Sequence, residues 1–140
     1  MALDFQVTFD AHDPHAVNRF WSEALGYERE DNSALVDQLV EAGVLPGDAV
    51  VQEDGHSAFR DLAASRDPDG RRPRLLFQRV AEPKSIKNRV HLDVHVGPER
   101  ADAEVTRLEQ LGATVAWVSD DRGARTITMR DPEGNEFCVE

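Results

Sequence analysis

The chain has only one cysteine, Cys138, among its 140 residues. A single cysteine excludes an internal disulfide and is typical of a protein that folds in a reducing compartment. No apolar run approaches the length of a membrane span, and the first ten residues lack the basic and apolar regions of a signal peptide. We therefore expect a cytoplasmic protein.

Lysine is scarce as well, since Lys84 and Lys87 are the only two. Acidic residues outnumber basic ones by 27 to 16, which gives a formal net charge of −11. Nucleic acids and anionic membrane surfaces favour proteins with clustered lysine and arginine. The single basic cluster, at residues 71–74, is too short to form such a patch. Neither nucleic acid nor a membrane is expected as a partner.

Several catalytic motifs are missing. The sequence has no glycine-rich phosphate loop, no G-x-S-x-G nucleophile elbow, no HExxH and no paired cysteines. What is present is a chain with 40% hydrophobic residues, long enough to bury the core of one domain without disulfides. None of these common catalytic chemistries is therefore indicated.

The segment Arg89–Val96, with the sequence RVHLDVHV, alternates with a period of two. This pattern predicts a strand that buries one face under a helix. The apolar face carries Val90, Leu92, Val94 and Val96. The opposite face carries His91, Asp93 and His95. Two imidazoles and a carboxylate on that face fit either solvent or a binding cavity.

The rest of the chain predicts the same order of elements twice. The first half is predicted to contain strands at Leu3–Phe9, Tyr27–Arg29, Phe59–Arg66 and Arg74–Val80, a helix from Pro14 to Gly26 with Asp13 as its cap, a second helix from Asn32 to about Val44, and a loop at Asp48–Ala58. The second half is predicted to contain strands at Val90–Val96, Thr114–Val118, Arg125–Arg130 and Glu136–Val139, and a helix from Pro98 to Gly112. Each half includes an Asp-Pro-acid-Gly turn before its last strand.

This internal repeat predicts a single α+β domain made of two pseudo-symmetric βαβββ modules. Module one is expected at about 1–80, a linker at about 81–88, and module two at about 89–140. One helix per module cannot cover both faces of a mixed sheet. We therefore expect the helices on the outer face of a cupped sheet, and a concave cavity shared by the two modules on the other.

Three segments resemble the vicinal oxygen chelate superfamily, which includes glyoxalase I, bleomycin-resistance proteins and extradiol dioxygenases. They are FWSEALGYE at residues 20–28, RVHLDVHV at residues 89–96 and RDPEGNEFCVE at residues 130–140. The resemblance covers most of the chain apart from residues 30–59. The chain is most similar to the small glyoxalase-like proteins of unassigned function.

In metal-dependent members of this superfamily, the first and last strands of each module each supply one ligand to a divalent ion. The resemblance places the matching positions at Gln6, Gln78, His91 and Cys138. His91 is a good ligand, the two glutamines are weak, and Cys138 stands where such members carry glutamate. We therefore expect a degenerate site and no firm cofactor, with zinc, nickel, iron or manganese as the open alternative. Glu136 or Glu140 would supply a carboxylate if the register were shifted by two residues.

The sequence thus predicts a glyoxalase-like protein that binds a small organic molecule, with its enzymatic status open. The cavity is expected to be lined by Gln6, Thr8, Arg74, Gln78, His91, Asp93 and Cys138. One alternative is a metal-dependent lyase or dioxygenase that uses His91. Another is a drug-sequestering protein of the resistance type, whose acidic charge would suit a cationic ligand. By resemblance, the protein is expected to be a homodimer.

Overall fold

Two four-stranded sheets with the same strand order form the framework of the computed structural model, which describes residues 1–140. One sheet belongs to residues 1–81 and the other to residues 82–140. In each unit the first strand pairs in parallel with the last, and the remaining pairs are antiparallel. This repeated βαβββ order confirms the predicted α+β class. None of the three helices is both long and apolar enough to span a membrane.

The first unit contains two helices and six strands, with a short 3-10 turn at Gly47–Ala49. Its elements are β1 (Val7–Ala11), α1 (Pro14–Leu25), β2 (Glu28–Arg29), α2 (Ser33–Glu41), β3 (Val50–Glu53), β4 (His56–Phe59), β5 (Leu62–Arg66) and β6 (Leu75–Arg79). Helix α1 starts and stops as predicted. The Asp13 carboxylate accepts hydrogen bonds from the backbone N–H groups of His15 and Ala16, and Gly26 ends the helix at φ 70°.

The core of this unit is aromatic. Phe9 of β1 lies with its ring centroid 5.3 Å from that of Trp21 and 5.2 Å from that of Phe77. Trp21 and Phe77 are almost completely buried. The predicted strand began too early, because β1 starts only at Val7, where pairing with β6 begins. Phe5, which shares the apolar face of the predicted half-buried strand Leu3–Phe9 with Val7, is 66% exposed.

Residues 48–58 are largely not the predicted loop. Strands β3 and β4 form an antiparallel hairpin in which Glu53 pairs with His56. Asp54 and Gly55 connect them, with φ angles of 51° and 80°. Positive φ at both central residues is the geometry of a type I′ turn, for which Asp-Gly is a preferred sequence.

The second unit contains β7 (Asp93–Val94), α3 (Ala101–Gln110), β8 (Thr114–Ser119), β9 (Thr126–Arg130) and β10 (Glu136–Val139), with a short 3-10 turn at Asp121–Gly123. Strand β7 is shorter than the predicted Val90–Val96, because β10 is its only partner in this sheet. Val90 is 81% exposed, so its predicted burial is wrong. Helix α3 begins at Ala101, three residues after the predicted start at Pro98.

The two Asp-Pro-acid-Gly turns have the same construction. In each, the backbone N–H of the glycine donates to the carbonyl oxygen of the aspartate at 2.9 Å, as Gly70 does to Asp67 and Gly134 to Asp131. Both aspartate side chains are buried and accept several backbone N–H groups. Burial acts to raise the pKa of Asp67, but these donors outweigh it and the net pKa lies below the ordinary value.

Candidate functional site

The polar face of β7 meets the end of β10. Asp93 is the register partner of Cys138 in the parallel pair, and His91 lies two residues before Asp93 on the same face. The Nδ1 atom of His91 lies 2.9 Å from Oδ1 of Asp93. One ligand atom from each of His91, Asp93 and Cys138 lies within 4.8 Å of the others. The structure therefore brings together an imidazole, a carboxylate and a thiol.

The thiol of Cys138 is buried, with 9% exposure, and its Sγ lies 3.6 Å from Oγ1 of Thr128. Burial raises the pKa of the thiol, and the negative charges of Asp93 and Glu140 raise it further, whereas the contact with Thr128 lowers it. The net pKa lies above the ordinary value. Cys138 is therefore a neutral thiol at pH 7 and not a reactive thiolate.

Glu136 and Glu140, the alternative carboxylates, have other partners. Glu136 is buried and accepts hydrogen bonds from Lys84 Nζ at 3.2 Å and from the Asn88 backbone at 2.9 Å. These contacts attach the predicted linker segment, residues 81–88, to the second unit. Glu140 faces His95, whose Nδ1 lies 3.1 Å from its Oε1. Cys138, and neither of these glutamates, is therefore the residue of β10 that lies opposite Asp93.

In the first unit, Gln6 and Arg74 are tied into an ion-pair network. Arg74 Nη1 donates to Gln6 Oε1 at 3.0 Å, and its Nε and Nη2 donate to the two carboxylate oxygens of Glu30 at 2.7 and 2.8 Å. Arg66 Nε donates to Glu30 Oε1 at 2.9 Å. The hydrogen bonds from Arg74 are the main reason why the pKa of Glu30 falls to about 2. Gln6 and Arg74 also line a cavity of about 490 Å³.

Register decides which residues of the first unit correspond to the cluster. Arg66 and Arg130 stand immediately before the two matching turns. When paired residues are counted from these arginines, Leu76 of β6 occupies the position that corresponds to Cys138 of β10. Thr8 pairs with Leu76, as Asp93 pairs with Cys138. Gln6 and Thr8 therefore match His91 and Asp93. The positions of the first unit that match His91, Asp93 and Cys138 are thus held by Gln6, Thr8 and Leu76.

Gln78 occupies a different level of the sheet. It is exposed, and its partner in the β1–β6 pair is Asp10, two residues further along β1 than Thr8. The structure thus brings His91, Asp93 and Cys138 together within the second unit, and Gln6 and Arg74 within the first. Gln78 joins neither group.

The donor set of the cluster fits a divalent metal. Imidazole and thiolate are ligands that zinc prefers, whereas manganese and magnesium favour sets of oxygen ligands. His91 and Cys138 would supply a nitrogen and a sulfur to such an ion, and Asp93 would add an oxygen. Because the thiol is protonated at pH 7, metal binding would release its proton.

Comparison with known proteins decides the family. Residues 6–140 match the family model described as a glyoxalase-like domain. The chain belongs to the glyoxalase-like domain family. This confirms the resemblance to the vicinal oxygen chelate superfamily. A comparison with curated protein sequences finds no match to this glyoxalase-like protein.

Solved structures show the same fold at low identity. A glyoxalase/bleomycin resistance protein/dioxygenase family enzyme from Burkholderia phytofirmans has 15% identity and a TM-score of 0.64, over 98% of this chain and 97% of that one. The bleomycin-binding protein of Streptomyces verticillus, solved with copper(II)-bleomycin, has 20% identity and a TM-score of 0.55, over 99% and 95%. A point mutant of the fosfomycin resistance protein FosX from Listeria monocytogenes, solved with Mn(II) and 1S,2S-dihydroxypropylphosphonic acid, has 11% identity and a TM-score of 0.63, over 100% and 90%.

The sequence placed Asp93 of this glyoxalase-like protein in the expected cavity lining and not among the four expected metal positions, whereas the structure brings its carboxylate together with His91 and Cys138. The signal was its spacing of two residues from His91, which puts both side chains on one strand face. The Glu30 carboxylate was missed entirely, because Arg74 reaches it across 44 positions of sequence. Only the pairing of strands shows that contact.

Proposed function

We propose that this glyoxalase-like protein binds a small organic molecule with oxygen donors, through a divalent ion held by His91, Asp93 and Cys138. The grouping of these three side chains within 4.8 Å is the observation that carries the proposal. A divalent ion bound there would supply a Lewis acid that polarises a coordinated oxygen. The FosX protein solved with Mn(II) and a dihydroxypropylphosphonic acid supports the view that this fold accommodates such a pair.

Zinc is the metal that the side chains favour. A thiolate and an imidazole together select zinc over manganese, because manganese prefers oxygen ligands. The buried Cys138 must lose its proton to bind, and its raised pKa makes that loss harder as the pH falls. We therefore expect zinc affinity to increase with pH over the range in which the thiol titrates.

The neighbours of the cluster give its residues fixed orientations. The Asp93 carboxylate can only accept a hydrogen bond, so the His91 ring nitrogen that faces it at 2.9 Å carries the proton in the metal-free protein. Thr128 lies against the sulfur of Cys138. These contacts keep the three donors close together before any ion binds, which lowers the ordering cost of binding.

Elemental analysis of tag-free protein purified without chelator tests the metal. We expect about one zinc per chain in the wild type, and loss of zinc in His91→Ala and Cys138→Ser. His95→Ala is the matched control, because it removes an imidazole from the same strand face while leaving the cluster intact. Metal-free wild-type protein that stays folded and gains no thermal stability with added zinc would refute the proposal.

Acetohydroxamate, a small chelator with two oxygen donors, tests the organic ligand. We expect acetohydroxamate to raise the melting temperature of the zinc-loaded protein and to leave the melting temperature of His91→Ala unchanged. The drug-sequestering alternative predicts a different result. A cationic drug such as bleomycin would then stabilise the wild type and His91→Ala equally, without metal and without turnover. That alternative draws support from the net charge of −11 and from the bleomycin-binding neighbour.

We also propose a cytoplasmic homodimer. Strand β8 is an edge strand of its sheet, and Val115, Trp117 and Val118 on it are each at least 40% exposed. Exposed apolar side chains on a free sheet edge favour association. Light scattering should give twice the 15.6 kDa chain mass. A monomer at micromolar concentration would contradict this part of the proposal.

A further inference from the structure

A second cavity lies in the first unit, whereas the residues assigned to the metal belong to the second unit. It has a volume of about 490 Å³ and is bounded by α1, β2 and the β3–β4 hairpin. His15 of α1 contacts the hairpin through its Nε2, which lies 2.8 Å from the carbonyl oxygen of Phe59. Arg19 and Glu53 form an ion pair between the same two elements. The hairpin is therefore fastened to α1 and forms a fixed wall of the cavity.

Asn18 lines this cavity, and its buried side-chain amide has an unpaired acceptor. Its side chain is 4% exposed, and its Nδ2 donates to the carbonyl oxygen of Ala64 at 3.2 Å. This bond fixes the orientation of the amide, and Oδ1 has no hydrogen-bond partner in the protein. A buried amide oxygen without a donor is costly, and nearly all such groups in folded proteins find one. A ligand that brings an N–H group would satisfy it.

The charge of the lining favours a cation. Five carboxylates and one arginine face the cavity: Glu28, Glu30, Asp31, Glu53, Asp54 and Arg29. Arg29 Nη2 lies 3.0 Å from Asp54 Oδ2, and Glu30 is held by Arg66 and Arg74. Glu28 and Asp31 form no ion pair. The cavity therefore keeps negative charge that arginines do not neutralise.

The remaining wall is apolar, since Phe59, Leu62 and Ala63 also line the cavity. A buried unpaired acceptor, two carboxylates outside any ion pair and an apolar wall suit a ligand with an ammonium group and a hydrocarbon body. A carboxylate ligand would be repelled, and a quaternary ammonium would leave Asn18 Oδ1 unpaired.

We propose that this cavity is a second ligand site, which binds a small protonated primary amine with an aromatic or alkyl body. The amine donates an N–H to Asn18 Oδ1, and the carboxylates of Glu28 and Asp31 favour its charge. This site is independent of the metal cluster, so either proposal can fail without the other.

Benzylamine is the probe, followed by calorimetry and by amide chemical shifts in solution. We expect binding with shifts at α1 and the β3–β4 hairpin and none at β7. Benzyl alcohol, the neutral counterpart, and benzyltrimethylammonium, which has no N–H, should each bind about tenfold more weakly or not at all. Equal binding of the three compounds, shifts centred on β7, or no binding of benzylamine at millimolar concentration would overturn the proposal.

Two variants locate the contacts. Asn18→Leu removes the acceptor at similar volume and should weaken benzylamine binding about tenfold. Glu28→Gln removes one exposed charge, should leave the fold intact and should weaken binding about threefold. Glu109→Gln on α3 is the matched control, with the same charge change in the other unit, and should have no effect. If Asn18→Leu does not fold, the comparison of Glu28→Gln with Glu109→Gln and the map of chemical shifts test the proposed site. Unchanged benzylamine affinity in folded Asn18→Leu or in Glu28→Gln would refute the assignment.

Discussion

Replacing Glu30 by glutamine tests the ion-pair network of the first unit. The carboxylate of Glu30 bridges Arg66 and Arg74, and its side chain is 12% exposed. Glutamine keeps the shape and removes the charge that both guanidinium groups contact. We expect the variant to fold with lower stability at pH 7, because two arginines are left without their shared partner.

The size of the effect follows from the pKa of Glu30. Lowering it from 4.5 to about 2 on folding corresponds to an upper limit of about 3.4 kcal/mol at neutral pH. Arg66 is 62% exposed and Arg74 is 36% exposed, so solvent screens part of this interaction. We therefore expect a loss of about 1–2 kcal/mol in the free energy of unfolding.

The pH dependence gives the sharper test. Because the pKa of Glu30 is lowered on folding, its stabilisation is fully present above pH 4.5 and is lost as the pH falls towards about 2. Urea unfolding from pH 7 to pH 2 should therefore show the wild type and Glu30→Gln converging in acid. Glu109→Gln, an exposed control, should parallel the wild type throughout. Equal stability at pH 7, or a difference that does not change with pH, would refute the reasoning.

Three further predictions concern the core, the thiol and a helix end. Phe77→Ala should cost about 3–5 kcal/mol in urea unfolding, because the ring is fully buried and stacks on Phe9. In metal-free protein, Asp93→Asn should lower the pKa of the Cys138 thiol, measured by thiolate absorbance, since a neighbouring negative charge is removed. Gly26→Ala should cost about 1 kcal/mol in thermal unfolding, because the position has φ 70°.

Each of these has an outcome that would contradict it. A Phe77→Ala variant as stable as the wild type would mean that the aromatic cluster contributes little. A Cys138 pKa that rises or stays constant in Asp93→Asn would mean that the charge of Asp93 does not raise the pKa of the thiol. An unchanged melting temperature in Gly26→Ala would mean that the helix end relaxes without cost.

Local chemistry explains which elements the sequence could predict. The bounds of α1 follow from Asp13, Pro14 and Gly26, each of which acts within a few residues of its own position. The start of β1 could not be predicted in this way. The apolar alternation continues back to Leu3, but the ladder begins at Val7 opposite Leu75. A partner nearly seventy residues away sets that limit.

The candidate site likewise has one part that the sequence could predict and one part that it could not. The shared face of His91 and Asp93 follows from strand periodicity, which the sequence shows directly. Their approach to Cys138 depends on the parallel register of β7 and β10, which no local pattern specifies. The hairpin of the second cavity was predictable in principle from Asp54-Gly55. It was missed because the residues around this turn are polar and poorly alternating.

Because the registers of the two sheets match, the group of His91, Asp93 and Cys138 could be copied into the first unit. Gln6, Thr8 and Leu76 occupy in the first unit the places that His91, Asp93 and Cys138 occupy in the second. Writing histidine, aspartate and cysteine at those three places would copy the donor set onto a backbone that already has the required strand pairing. Because the chain repeats its strand register, three substitutions in the first unit would create a second copy of this donor set.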